Sequence, residues 1–204
     1  GVVQTTREDS RSCTAIILAT DRGGPYGELN ASVKLGGISL LDRALRTVAL
    51  SGIGQATIVT DGSGYALRRD LLRRPAPKID LSWIEVPEGV SDIQAISSAV
   101  LCSEISLVLC ADCIYDVRVV KALLERGSGT VVTGGHRITD GGLCLLHNDN
   151  LKSLTAQEGV GSMLSESLEG LLSRGEMRTL EIDDIPAYLP GLRKHLRPIC
   201  FPVR

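Results

Sequence analysis

The sequence predicts a three-layer α/β fold built on a mostly parallel sheet. Short apolar or β-branched runs alternate with segments of helical periodicity, the first run opens into a glycine-rich loop, and Asp61, Glu88 and Asp112 each follow a run. In a sheet of that kind ligands lie beyond the carboxyl ends of the strands, so carboxylates at those ends converge on one cleft although they are far apart in the chain.

The elements follow in order. Thr14–Ala19 is an apolar strand that runs into the loop Thr20–Gly27. Ser39–Ser51 carries Leu40, Leu41, Ala44, Leu45, Val48 and Ala49 at helical spacing, with Gly52 as the stop. Gln55–Thr60 is a β-branched strand ending at Asp61-Gly-Ser-Gly64, and Tyr65–Arg74 is a helix halted by Pro75. Ile79–Val86 is a third strand with the single tryptophan, Trp83, and Ser91 caps a helix that runs to Cys102. Ile105–Cys110 is continuously apolar, as a strand buried on both faces must be. Asp116–Glu125 and Ser162–Ser173 read as helices, and Gly129–Thr133 and Gly142–Leu146 as strands.

Composition narrows the function. The 204 residues suit one domain over 1–204, and 43% hydrophobic content excludes a disordered chain. With 3% aromatic residues the core must be aliphatic. A net charge of −2 gives no field that attracts nucleic acid, and Arg68–Arg74 reads as a solvated helix face. No apolar run reaches the roughly 20 residues of a membrane span. Residues 1–12 are polar, read as an extension and not as a signal peptide, which makes the expected location cytoplasmic. The cysteines, Cys110-Ala-Asp-Cys113 included, are expected to be reduced and packed in apolar segments. His136, His147 and His195 show no ligand spacing, and no Gly-x-Ser-x-Gly nucleophile motif is present.

Glycines let successive backbone N–H groups face an anion, so the 20–27 loop is the natural place for phosphate. It lacks both the Gly-Lys-Ser/Thr ending of a P-loop and Gly-x-Gly-x-x-Gly. Leu18, Ala19 and Gly23, followed by Leu35-Gly-Gly-Ile-Ser-Leu-Leu-Asp-Arg-Ala-Leu45, instead resemble the N-terminal signature of sugar-phosphate and alcohol-phosphate nucleotidyltransferases. The chain departs from that signature at Asp21, which replaces the first loop glycine, at Pro25 near its arginine, and at Asn30 in the place of its lysine. Lys34 stands nearby, out of register.

The resemblance implies a Rossmann-like fold of the nucleotide-diphospho-sugar transferase type. It places the nucleotide against Leu18, Ala19, Thr20, Asp21, Gly23 and Gly24, with Arg22 and Lys34 as candidate catalytic cations. Ser91, Gln94 and Ser97 fall where the family touches base and ribose. Asp112 is implied as the catalytic carboxylate and a Mg²⁺ ligand. Its implied partner is Asp183, in Leu180-Glu-Ile-Asp-Asp-Ile-Pro186, which resembles the family's late Asp-x-Asp-Thr-Pro segment. Each also has a structural reading: Ser91 as an N-cap, Asp112 as a cap of the 116–125 helix, Asp183 as a turn residue. Tyr188–Pro198 resembles the segment that joins such domains to a membrane-embedded CDP-alcohol phosphotransferase domain, which makes 188–204 a candidate linker. The activity implied is transfer of a nucleotidyl group, CMP from CTP, to a phosphorylated sugar or polyol such as inositol phosphate, with release of pyrophosphate. Asp21 and Asn30 leave open a domain of the same fold that has lost catalysis and keeps a nucleotide-binding, regulatory or docking role. A nucleotide-sugar glycosyltransferase is a third, weaker reading, because no Asp-x-Asp follows the central strand.

Overall fold

Strand β1 (Cys13–Ala19) is buried at every residue and pairs in parallel with β4 (Gln55–Thr60) on one side and β6 (Ile105–Cys110) on the other. The structure is a computed structural model that describes residues 13–20, 30–62, 64–73, 77–99, 103–156, 163–186 and 196–201. Strand β5 (Asp80–Glu85) continues the parallel arrangement beyond β4. On the far side of β6 lies β10 (Cys144–His147), antiparallel both to β6 and to β8 (Thr130–Gly134). Strand β11 (Arg178–Glu181) is parallel to β8, and β9 (Arg137–Ile138) folds back on β8 as a hairpin. The order is therefore β11-β8-β10-β6-β1-β4-β5. Because β10 is reversed against both neighbours, β6 and β8 point the same way. The carboxyl ends of β5, β4, β1, β6, β8 and β11 thus share one edge.

Helices cover both faces of this sheet, the three-layer arrangement expected from the sequence. Helix α1 (Leu40–Leu50) buries Leu41, Ala44, Leu45 and Val48 and packs with α4 (Val117–Arg126). Helix α3 (Asp92–Ser98) packs with α5 (Asn148–Thr155), and α5 with α6 (Leu164–Ser173). Ser39 caps α1 by accepting from the Asp42 amide at 3.1 Å. A short hairpin, β2 (Lys34–Leu35) with β3 (Ile38–Ser39), leads into α1. Two further short strands, β7 (Cys113–Ile114) and β12 (Ile199–Cys200), form an antiparallel ladder of their own beside the end of β6. No helix among the described residues is long and apolar enough to cross a membrane.

The structure corrects the sequence reading in three places. Helix α3 ends at Ser98, where the hydroxyls of Ser97 and Ser98 bond back to the carbonyls of Ile93 and Ala95. Local bonding of this kind competes with helix continuation. The run expected to be a strand from Gly142 becomes a strand from Cys144, after Gly141 and Gly142 complete a turn at φ 85° and 66°. Cys113 and Cys200 are joined in a disulfide at 2.10 Å, whereas Cys13, Cys110 and Cys144 are buried and take no part in it. The partners are 87 residues apart and meet only because β12 lies opposite β7, a pairing that sequence spacing does not reveal. Cys102 lies outside the described residues.

One glycine is required by close approach. Gly64 opens α2 (Gly64–Leu72), and a Cβ there would collide with the buried side chain of Thr60. Gly64→Ala is expected to cost about 1–3 kcal/mol in urea denaturation, the usual penalty for overpacking. Gly62→Ala, whose Cβ would meet Glu85 only at an ordinary 3.7 Å, should change stability by less than about 0.5 kcal/mol.

Candidate active site

The strand register gives the candidate site its layout. Ala19 pairs with Thr60 and Thr60 with Glu85, and the Ala111 amide donates to the Leu18 carbonyl at 2.8 Å. Thr20, Asp61, Val86 and Asp112 therefore sit side by side as the chain leaves four parallel strands. Leu18 and Ala19 are buried in the sheet, so what they present at this edge is backbone. Asp21, Arg22, Gly23 and Gly24 lie outside the described residues.

Asp112 leaves the end of β6 directly into a cavity of about 310 Å³. It is 8% exposed, and its Oδ1 lies 3.4 Å from Cys113 Sγ. Asp116, not Asp112, caps α4: its carboxylate accepts from the Arg118 amide at 2.8 Å and from the Arg118 guanidinium at 2.9 and 2.7 Å. Hydrogen bonding to Arg118 holds the Asp116 carboxyl below its ordinary range against the opposing effect of burial. With the cap supplied elsewhere, Asp112 has no helix to start.

Two carboxylates that sequence reasoning missed join Asp112 in the cavity wall, Asp92 and Asp140. Asp92 stands at the start of α3, inside the 89–98 stretch singled out by resemblance, and its Oδ2 accepts from the Leu164 amide at 2.9 Å. Helix α6 has no side-chain cap from its own N-cap residue, Met163, so the carboxylate of α3 serves it from across the cavity. Asp140 belongs to the turn Thr139–Gly142, closed by a 3.0 Å bond from the Gly142 amide to the Thr139 carbonyl. Its third residue, Gly141, has φ 85°, as a type II turn requires. A Cβ on Gly141 would come within 2.7 Å of the Tyr115 hydroxyl and 3.0 Å of Cys113 Sγ. An Asp-Gly-Gly triplet before an apolar run was the signal available in the sequence.

The Tyr115 hydroxyl accepts from the Cys110 amide at 3.0 Å. Burial first, and then the neighbouring Cys110, raise its pKa well above the ordinary tyrosine value, so it stays protonated.

Other predicted residues fall elsewhere. Lys34 is 51% exposed and pairs with Asp70 of α2 at 2.9 Å. Ser91 and Gln94 are engaged with each other in a capping box, the Gln94 amide to Ser91 Oγ at 3.2 Å and the Ser91 amide to Gln94 Oε1 at 3.0 Å. Ser97 Oγ donates to the Ile93 carbonyl at 2.8 Å. Asp183 is exposed in the 3₁₀ turn Ile182–Asp184 after β11. It lies on the same edge as Asp112 but three strand positions away, about 14 Å at the usual spacing of neighbouring strands. Asp61, Glu88 and Asp183 are not among the residues lining the cavity.

The neighbour of Asp183 that carries the strongest interactions is Glu181. Its carboxylate accepts from Thr133 Oγ1 at 2.7 Å, the Gly135 amide at 2.7 Å and the His136 amide at 3.1 Å, clamping the turn of the β8–β9 hairpin. Gly135 and His136 both have positive φ, 61° and 64°, as a two-residue hairpin turn demands. Desolvation acts to raise the Glu181 pKa, but the bonds from Thr133, His136 and Gly135 outweigh it and hold the carboxyl below its usual range.

No known family profile and no curated protein sequence matches the chain. Solved structures do. A nucleotidyl transfer enzyme described as a nucleotidyl transferase from Methanothermobacter superposes with a TM-score of 0.68 at 15% identity, over 83% of this chain and 87% of its own. The inositol-1-phosphate CTP transferase from T. maritima superposes with a TM-score of 0.66 at 12% identity, over 84% of this chain and 86% of its own. The fold is of the nucleotidyltransferase type. At these identities the likeness is one of architecture, and the chemistry must be argued from the residues.

Two outcomes are expected. Asp92→Ala removes the cap of α6 and should lower stability by about 0.5–2 kcal/mol in chemical denaturation. Glu181 has a folded pKa below its unfolded value, so its contribution is complete above the ordinary glutamate pKa and is lost as pH falls through the lowered value. Glu181→Gln should therefore flatten the acid limb of a stability against pH curve, at a cost of about 1 kcal/mol near neutrality.

Proposed function

We propose that the protein transfers a nucleotidyl group, CMP from CTP, to a phosphorylated sugar or polyol such as inositol phosphate, releasing pyrophosphate. The observation that carries this reading is the position of Asp112, buried at the carboxyl edge of a nucleotidyltransferase-type sheet and opening into a cavity of about 310 Å³. The lining supports an acceptor rich in hydroxyls. Asp92, Asp112 and Asp140 offer carboxylate acceptors, Thr139 and Ser165 offer hydroxyls, and no Lys, Arg or His is among the described lining residues. Such a surface suits the polyol body of the acceptor and disfavours its phosphate, which belongs toward the loop after β1, where Arg22 lies.

Among the described residues no group of three or more His, Cys, Asp or Glu is arranged to hold a metal ion. Magnesium does not require one, since it is commonly held by one or two carboxylates together with substrate phosphates and water. Asp112 fits that donor set as the protein ligand, with Asp183 as a second ligand only if its segment reaches across the edge. When bound, the ion would neutralise charge on the triphosphate. The chain itself orients the acceptor through the Asp92, Asp112 and Asp140 carboxylates.

The alternative, a domain of this fold without catalysis, is favoured by one observation: Lys34 is held by Asp70. Attachment to a membrane-embedded CDP-alcohol phosphotransferase domain belongs to the same proposal and rests on the 188–198 resemblance, of which 188–195 lie outside the described residues.

Calorimetry with CTP, ATP, GTP and UTP, with and without Mg²⁺, followed by pyrophosphate release with inositol 1-phosphate, tests the reading. Magnesium-dependent binding of CTP and a loss of turnover of about a hundredfold or more in Asp112→Asn are expected. Binding without turnover would favour the non-catalytic domain, and release of a free nucleoside diphosphate from a nucleotide-sugar would favour glycosyl transfer.

A further inference from the structure

The Cys110-Ala-Asp-Cys113 motif is not used by the proposed chemistry, yet its second cysteine is bonded to the last described strand of the chain, next to the residue that matters most. Cys113 follows Asp112 directly, and its disulfide to Cys200 fixes β12 across from β7. Cys110 is not its partner: the Cys110 thiol donates to the Gly141 carbonyl at 3.2 Å. Residues 198–201 form one wall of the Asp112 cavity, and the turn at Gly141 is pressed against Tyr115 and Cys113 Sγ on another.

Among the described residues, few backbone bonds besides the disulfide hold that wall. The ladder is two residues long, Ile199 opposite Ile114 and Cys200 opposite Cys113. The Phe201 amide adds a 2.9 Å bond to the carbonyl of Asp112 itself, and Leu196 is buried. A two-residue ladder is far below the length at which strand pairing is stable alone. Access is one-sided as well, because Cys113 is 1% exposed whereas Cys200 is partly exposed beside the exposed Ile199.

We propose that the Cys113–Cys200 disulfide is a redox-controlled strap: oxidised, it holds β12 as a wall of the Asp112 cavity, and reduced by a dithiol it releases that wall and opens the cavity. In the reaction a thiolate of the dithiol attacks Cys200 Sγ, forming a mixed disulfide and expelling the Cys113 thiolate, which takes up a proton. The second thiolate of the reductant then breaks the mixed disulfide, leaving Cys200 as a thiol and the reductant as a disulfide. The Cys113 thiol so formed can donate to Asp112 Oδ1, 3.4 Å away, a bond that the disulfide sulfur has no proton to make. Reduction therefore acts on Asp112 twice, through the proton at Cys113 and through the Phe201 amide at its carbonyl. The strap stands on the disulfide and the cavity alone; its effect on turnover rests on the nucleotidyl transfer reading.

Hydrogen exchange with mass spectrometry on the full chain, before and after dithiothreitol, tests the strap without reference to activity. Peptides covering 196–201 and 111–115 are expected to exchange about tenfold faster after reduction while those from β1 and β4 do not change. Alkylation should label Cys113 and Cys200 together, and only after reduction. Cys200→Ser should exchange fast with or without dithiothreitol. Equal exchange in the two redox states, or alkylation of Cys113 and Cys200 without reductant, overturns the proposal. Calorimetry with CTP and Mg²⁺ on both forms separates the two readings: faster exchange with no CTP binding in either form leaves the strap standing and removes nucleotidyl transfer, whereas CTP binding with unchanged exchange removes the strap alone.

Discussion

Strand β1 is buried along its whole length, and its parallel pairing to β4 on one side and β6 on the other decides which strand ends share an edge. A strand with no solvent face must be covered by helices on both sides, so the connections between its parallel strands run over the sheet as helices. From that follow α1 between β1 and β4, α2 between β4 and β5, and α3 between β5 and β6. The same constraint delivers Thr20, Asp61 and Asp112 to one edge. The candidate site is thus a consequence of burying seven residues in one strand.

This explains what the sequence disclosed. Gln55–Thr60 and Ile105–Cys110 form strands with the expected boundaries, because a β-branched or apolar run bounded by Gly, Asp or Ser has few other ways to be buried. Asp112 was legible for the same reason, since it adjoins such a run. Residues brought in by long-range pairing were not. Asp92 acts through an amide 72 positions away, and Cys200 through a cysteine 87 positions away. Local sequence showed Ser91 and Gln94 as polar residues at a helix start, and the structure shows why: each satisfies the backbone of the other. The reversed direction of β10 was equally hidden, because direction follows from the short β8–β9 hairpin and the turn at Gly141, not from the apolar content of Cys144–His147.

The described lining of the cavity is acidic, and several cations elsewhere on the described surface are held in ion pairs. Arg118 is bound to Asp116, Lys34 to Asp70 and Arg46 to Asp42. Under the proposed function a triphosphate would need compensating positive charge from outside this lining, which offers carboxylates and hydroxyls.

The end of the chain enters the same balance. Residues 196–201, read from sequence as part of a linker, include a buried leucine, a paired strand and a disulfide partner. The contacts of residues 199–201 fall on Ile114, Cys113 and Asp112, so the position of the candidate catalytic carboxylate is set from two directions. Strand β6 fixes its backbone from within the sheet, where Leu109 and Ala111 are fully buried. Strand β12 fixes it from outside through the Phe201 amide and the adjoining sulfur bridge. The first constraint is as permanent as the core. The second depends on a bond that a thiol can break, and that difference is what makes the outer wall the adjustable side of the cavity.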